Sequence, residues 1–275
     1  MTNIYTGGRT VTSTLSTEDG KQQIWDHLAE IPASRLSSEG LYFLLESISA
    51  LIGADHGYWL SAVCLEHLCP ERDYMLGWRP GPIFFYKELP TDRPKHDFYT
   101  KEVVAGKYEV DESTLNHIRQ AGQFRGTLMR DHVSETFFDT AHYHVLYTDK
   151  QISDTLFVVA PAGRDAEVYF CFNRMRGQQP FGQTELSIAM DILRPLAWFH
   201  RKVLLAHGLL IADSPLTPSE KKVLHLLLTG LAEKEVAEKL ELKPDTVHKH
   251  VMSIYRKFNV SSRAALMTLW LGQAC

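Results

Sequence analysis

Between Thr246 and Phe258 the stretch TVHKHVMSIYRKF leaves its backbone little choice. At about 100° per residue, Val247, Val251, Ile254 and Phe258 fall on one helical stripe about 60° wide. The alternation of a strand would scatter the same four residues over both faces. Opposite the stripe lie Lys249 and Arg256, flanked by Met252 and Ser253. The segment is therefore predicted to be a helix with one packed side and one basic side free for a partner. Its His-Lys-His centre is no metal site by this geometry. Residues two apart on a helix point about 200° apart, and no second histidine stands at i+3 or i+4. His250 tilts towards the packed side and reads as a half-buried structural histidine. His248 lies at the edge of the exposed face.

The surrounding sequence specifies partners for that helix. In LTPSEKKVLHLLLTG, Thr217 is a natural N-cap, Pro218 sits at N1 and Glu220 at N3, which is a capping box. Gly230 supplies the exit. EKEVAEKL then places Val236, Ala237 and Leu240 on one stripe, and after ELKP the basic helix begins with Pro244 at N1. A short helix, a tight turn and a second amphipathic helix make a helix-turn-helix. SSRAALMTLWL adds a fourth helix, capped by Ser261 or Ser262, with Leu266, Leu269 and Trp270 to pack.

From Leu216 to Trp270 the sequence resembles the DNA-binding domain of LuxR-type (GerE-type) transcription regulators. The resemblance rests on LTPSE, Gly230, KEVA with Leu240, PDTVHKH, IYRKF, Val260 and SRA. It implies a four-helix domain that binds double-stranded DNA as a homodimer, its third helix in the major groove. It assigns Lys234 and Thr246 to the DNA backbone and His248, Lys249 and Met252 to base edges. Ser253 and Arg256 complete the exposed face. RNA polymerase is a further partner open to such a regulator. Three positions depart from the family pattern. Ala232 stands where Ser or Thr is usual, which costs roughly 0.5–2 kcal/mol as a lost N-cap. Lys243 replaces another capping serine, and His248 replaces a lysine.

Charge distribution agrees with a DNA-binding end. The chain carries 29 Lys/Arg and 33 Asp/Glu, and from Ser214 onward nine basic residues face six acidic ones. The preceding part is correspondingly acidic, so a mildly basic module follows an acidic body. Cys64, Cys69, Cys171 and Cys275 form no C-x-x-C pair, as suits a reducing cytosol. The polar first twenty residues lack the apolar core of a secretory signal. ILRPLAWFHRKVLLAHGLLIA is interrupted by Arg194, Pro195, His200, Arg201 and Lys202, which argues against a membrane span. A cytoplasmic protein without a membrane partner is expected.

The first 210 residues read as an α+β domain. Helical spacing in KQQIWDHLAEI places Ile24, Leu28 and Ile31 together. SSEGLYFLLESISALIGA reads as a helix capped by Ser37 or Ser38 and ended by Gly53. HGYWLSAVCLE and GPIFFYKEL read as strands separated by a turn at RPGP, residues 79–82. ESTLNHIRQAGQF and FDTAHYHVLY read as helices, DTLFVVAP and AEVYFCFNRM as a strand pair. A long helix from about Thr184 to Leu210 carries Pro195 as a kink or break and is a candidate for dimerisation. The expected divisions are a flexible tail at 1–20, a regulatory domain at 21–210, a linker at 211–216 and the helix-turn-helix domain at 217–275.

HYHVLYTDKQISDTLFVVAPAGRDAEVYFCFNRMRGQQPFG is similar in layout to GAF- or PAS-like sensor domains with an antiparallel sheet. That resemblance implies a small-molecule or protein-binding fold, with Trp59, Trp78, Phe84, Tyr143 and Phe157 as candidate pocket residues. A ligand-free module for protein contacts and dimerisation, an acyl-homoserine-lactone receptor and an enzyme domain are the alternatives. The lactone pocket's Asp-Pro pair and aromatic spacing are not found. Alternating βα units of a phosphorelay receiver are absent too. His142 and His144 would chelate only from a strand. No catalytic motif, metal ligand set or cofactor fingerprint stands out, so no enzyme activity is expected.

Overall fold

A computed structural model describes residues 17–32, 35–64, 73, 75–90, 92, 102, 109–163, 166–207, 216–258 and 260–271. The N-terminal part is built on five antiparallel strands: β1 (His56–Cys64), β2 (Trp78–Tyr86), β3 (Arg125–Leu128), β4 (Ile152–Pro161) and β5 (Ala166–Met175). They lie in the order β2-β1-β5-β4-β3. One face is covered by α1 (Thr17–Glu30), α2 (Leu41–Ile52), α6 (Gln183–Leu193) and α7 (Ala197–His207). Ile24, Leu28, Leu44, Ile48, Trp59, Phe170 and Phe199 are fully buried in this core. Over the other face pass α3 (Glu112–Arg119), α4 (Met129–His132) and α5 (Ala141–Leu146), where Phe137, Tyr147, Phe157 and Tyr169 form a second cluster. Among the described residues no helix is long and apolar enough to cross a membrane.

Several sequence expectations change at the element ends. Helix α1 starts at Thr17, so residues 17–20 of the expected tail are helical, and Lys21 is buried between Glu18 (2.8 Å) and Asp191 (2.9 Å). Neither Ser37 nor Ser38 caps α2, because a π-helical turn at Leu36–Gly40 runs straight into it. Gly53 does end α2, with φ at +65°. The long helix is interrupted by a 3-10 turn at Arg194–Leu196 around Pro195. The four-residue strand β3 was not legible, since RGTL carries neither alternation nor a run of apolar residues. Gly126 within it lies so close to α6 that a Cβ would come within 2.5 Å of Met190 Sδ.

The RPGP segment is not a turn. Arg79–Pro82 lies inside β2, where Leu60 pairs with Ile83 but Ala62 pairs with Pro80. Ser61 therefore opposes both Gly81 and Pro82, a β-bulge. Two prolines are tolerated because β2 is an edge strand and needs donors on one side only. The bulge restores the pairing parity, so Trp78, opposite Cys64, and Phe85, opposite Tyr58, face the same side of the sheet.

The C-terminal part consists of α8 (Pro218–Leu228), α9 (Glu233–Leu240), α10 (Pro244–Lys257) and α11 (Arg263–Leu271). Its core joins Leu216, Val223, Leu224, Leu227, Val236, Val247, Val251, Ile254, Phe258 and Leu266. Leu216, expected in the linker, is buried in this core, as are Leu205 and Ala206 of α7. The rest of the expected linker and the first sixteen residues lie outside the described residues, as do the side chains of Leu269 and Trp270.

Candidate nucleic-acid interface and ligand cavity

The helical stripe behaves as its spacing demands. Val247, Val251 and Ile254 have no exposed surface and Phe258 has 2%. On the opposite side Lys249 and Arg256 are exposed and Met252 is 48% exposed; Lys234 at the start of α9 is exposed as well. Thr246 and His250 are half-buried. Ser253 differs from its neighbours on the wheel, because its hydroxyl donates to Glu220 Oε1 at 2.7 Å. It is held by α8 and is a structural contact in this arrangement.

Glu220 organises this junction. Its Oε2 accepts the Thr217 N–H at 2.6 Å, completing the capping box, and also takes Lys257 Nζ at 2.8 Å. Burial alone would raise its pKa, but the bonds from Lys257, Ser253 and Thr217 prevail and hold it at about 2. The capping box was legible in the sequence; the reach of the same carboxylate to α10 was not. Arg263 donates to the carbonyls of Leu231 (2.8 Å) and Leu227, tying α11 to the end of α8. The two atypical caps, Ala232 and Lys243, make no side-chain cap bond. At Ala232 half of the box survives, since Glu235 still accepts the Ala232 N–H at 2.7 Å.

His248 is exposed at the edge of the basic face, with its Nδ1 3.0 Å from Glu233 Oε2. His250 is on the half-buried side, so the two histidines do not converge. His142 and His144 sit on α5, a helix, with His142 half-buried and His144 exposed. Among the described residues no group of three or more His, Cys, Asp or Glu is placed to hold a metal ion.

Residues 214–270 match the family described as bacterial regulatory proteins, luxR family (GerE). This segment is a LuxR-family helix-turn-helix domain. The LuxR-type domain is 43% identical over 60 residues to the nitrate/nitrite response regulator protein NarP of Escherichia coli, which covers 22% of this chain and 28% of NarP. It is 33% identical over 54 residues to the HTH-type transcriptional regulator MalT of Vibrio campbellii, covering 20% of this chain and 6% of MalT. The chain thus matches under a third of the length of these relatives, a response regulator and a transcriptional regulator by name. Along nearly the full length, a crystal structure of Escherichia coli SdiA aligns over 94% of this chain and 99% of that chain, at 15% identity and a TM-score of 0.47.

Ahead of the LuxR-type domain, the face of the sheet opposite the main core holds a partly open cavity of about 180 Å³. Tyr58, Leu60, Trp78, Phe85, Phe157 and Tyr169 are among its lining residues. Of the five aromatics expected at a pocket, Trp78 and Phe157 are there. Trp59 and Phe84 pair with each other across β1 and β2 and pack in the helix-covered core instead. Alternation along the strand decides this: Tyr58 and Leu60 point one way and Trp59 the other. Tyr143 stands behind the wall, its ring stacked on that of Tyr147 at 5.2 Å.

One end of the cavity carries a closed polar network. Thr155 Oγ1 donates to Asn173 Oδ1 (2.9 Å), Asn173 Nδ2 to His56 Nδ1 (3.0 Å), and His56 Nε2 to Asp92 Oδ2 (2.7 Å). Lys150 Nζ donates to the other Asp92 oxygen at 2.8 Å. Burial pulls the Asp92 pKa up, yet His56 and Lys150 together bring it to about 2. His117 is different. It is buried between Phe157, Tyr169 and His132, the last at 4.0 Å between ring centres, and neither ring nitrogen has a partner. Burial first, then the neighbouring His132 and Arg125, lower its pKa well below the usual histidine value, so the ring is neutral. Cys171, also on the lining, is an inert thiol whose pKa burial pushes to about 12. These polar groups were missed at the sequence level, because Asp92, Lys150 and His56 come from a strand, a 3-10 turn and a separate segment far apart in the chain.

Proposed function

We propose that this chain is a transcription regulator whose N-terminal part binds a small molecule in the sheet-face cavity and thereby controls DNA binding by a homodimer of LuxR-type domains. The observation that carries this reading is a continuous contact between the two parts. Trp59, flanked in β1 by the cavity residues Tyr58 and Leu60, packs its ring 5.5 Å from that of His207 at the end of α7. Lys221 Nζ of α8 donates to His207 Nδ1 at 3.2 Å, and the Leu216 N–H donates to the His207 carbonyl at 3.2 Å. A ligand that shifts β1 therefore acts on a helix seated in the core of the DNA-binding module.

The layout supports a sensor of the GAF- or PAS-like kind: one antiparallel sheet with a packed face and a hollow face. The cavity suits a ligand with an apolar body and one group able to hydrogen-bond His117. Lys234, Thr246, His248, Lys249, Met252 and Arg256 form the DNA-facing set in this reading, and the side of α6–α7 that leaves Trp198 40% exposed is the dimerisation surface. Cytoplasmic location and contact with RNA polymerase belong to the same proposal. The module boundary falls before Leu216, whose burial ties it to the C-terminal core.

The test is a thermal-shift screen of the full chain against a small-molecule library, followed by DNA-binding assays with each hit. A ligand present at 100 times its dissociation constant is expected to stabilise by about 2.7 kcal/mol, and Trp78→Ala should remove the shift. Hits that stabilise but leave DNA binding unaltered would reduce the cavity to a structural site.

A further inference from the structure

The Glu233–His248 contact assigns a role to a residue outside the DNA-facing set. It rests on the reading that α10 enters DNA. Glu233 opens α9, and its Oε2 lies 3.0 Å from His248 Nδ1, with side chains 40% and 62% exposed respectively. An ionised carboxylate only accepts, so the proton on this edge of the ring is fixed at Nδ1. Nε2 is the nitrogen left for a partner. In a neutral ring it would accept a hydrogen bond; in a doubly protonated ring it donates one.

The surroundings decide between these states when DNA arrives. Phosphate oxygens and guanine O6 and N7 accept, adenine N6–H and cytosine N4–H in the major groove donate, and the whole lies in a strongly negative field. Besides Glu233, the charged and titratable groups around this edge are Lys234 on α9, Asp245, Lys249 and Tyr255 on α10, the tyrosine lying in the field of Glu233, and Arg263 at the start of α11, which acts on the same tyrosine. The negative field of the polyanion favours a cationic ring facing the acceptors at this edge. We propose that Glu233 is a positioning residue for DNA recognition. It holds the Nδ1–H of His248, which then meets DNA as a doubly protonated ring donating through Nε2, and binding takes up one proton. Glu233 thereby turns a histidine into a cation of fixed direction, where a lysine would be a mobile point charge.

The experiment uses the full chain. A randomised duplex library is selected at pH 6, and affinity for the enriched duplex is followed by fluorescence anisotropy from pH 6 to pH 8 at constant salt. Wild-type affinity is expected to fall as pH rises, by up to about tenfold per pH unit for one linked proton. Glu233→Gln should weaken binding several-fold at pH 6 and flatten the profile without lowering the melting temperature, since the pair is exposed. His248→Lys should bind with a flat profile, which assigns the proton to His248 and not to His250. A flat wild-type profile overturns the proposal. So does a Glu233→Gln variant that binds more tightly at every pH with its slope retained, because the carboxylate would then merely repel phosphate. A library that enriches no sequence would remove the DNA reading itself, and this inference with it.

Discussion

Glu220 joins two helices with one carboxylate: it caps the first turn of α8 and holds Ser253 and Lys257 of α10. Its ionised form is thus part of the folded state. The pKa falls from an ordinary 4.5 to about 2, so its contribution to stability is complete above about pH 4.5. That contribution is lost progressively as pH falls towards 2. Urea midpoints measured from pH 2 to 6 should show this acid-side loss, and Glu220→Gln should shrink it. At pH 7 the same substitution is expected to cost roughly 1–3 kcal/mol, from buried donors left with a weaker partner. At this scale the sequence was informative where a role is local. The Thr217–Glu220 box and the Val247–Phe258 stripe were legible because helix spacing determines them. The bond of Ser253 to Glu220 was not legible, since the two lie 33 residues apart and no periodicity marks the pair. The same holds for Asp92, whose partners His56 and Lys150 come from strands and turns far apart in the chain.

Among the elements, β2 and β3 carry the two features least visible beforehand. Gly126 lets α6 lie directly on β3, so Gly126→Val should force Met190 and Leu186 away and cost about 1–3 kcal/mol, read as a lower urea midpoint. The RPGP segment misleads because proline and glycine ordinarily punctuate a chain, whereas an edge strand with a bulge accommodates both. Since the bulge takes up one extra residue, a variant lacking Gly81 should still pair Ala62 with Pro80 and keep Trp78 on the cavity. Tryptophan fluorescence and ligand-induced stabilisation close to wild type would bear this out; loss of either would show that the bulge itself shapes the wall. In α10, Ile254→Ala removes a fully buried side chain and is expected to cost about 2–5 kcal/mol. This helix was readable in full and the aromatic pocket only half so. A helix face follows from spacing alone, while the facing of Trp59 or Trp78 depends on strand register and on the bulge.

In the whole molecule, α7 belongs to two cores. Phe199, Val203 and Leu204 pack under the sheet, and Leu205 and Ala206 pack with α8 to α11. Lys221→Ala, which removes the bond to His207, should weaken the link between ligand and DNA without abolishing either binding event. The comparison is the ligand-induced change in DNA affinity, wild type against variant. The last turn of α7 therefore answers to two masters. Joining this DNA-binding module to a foreign front domain means supplying more than a flexible tether. The incoming domain must end in a helix whose final residues present Leu205-like and Ala206-like side chains, or the module begins life with a hole in its own interior.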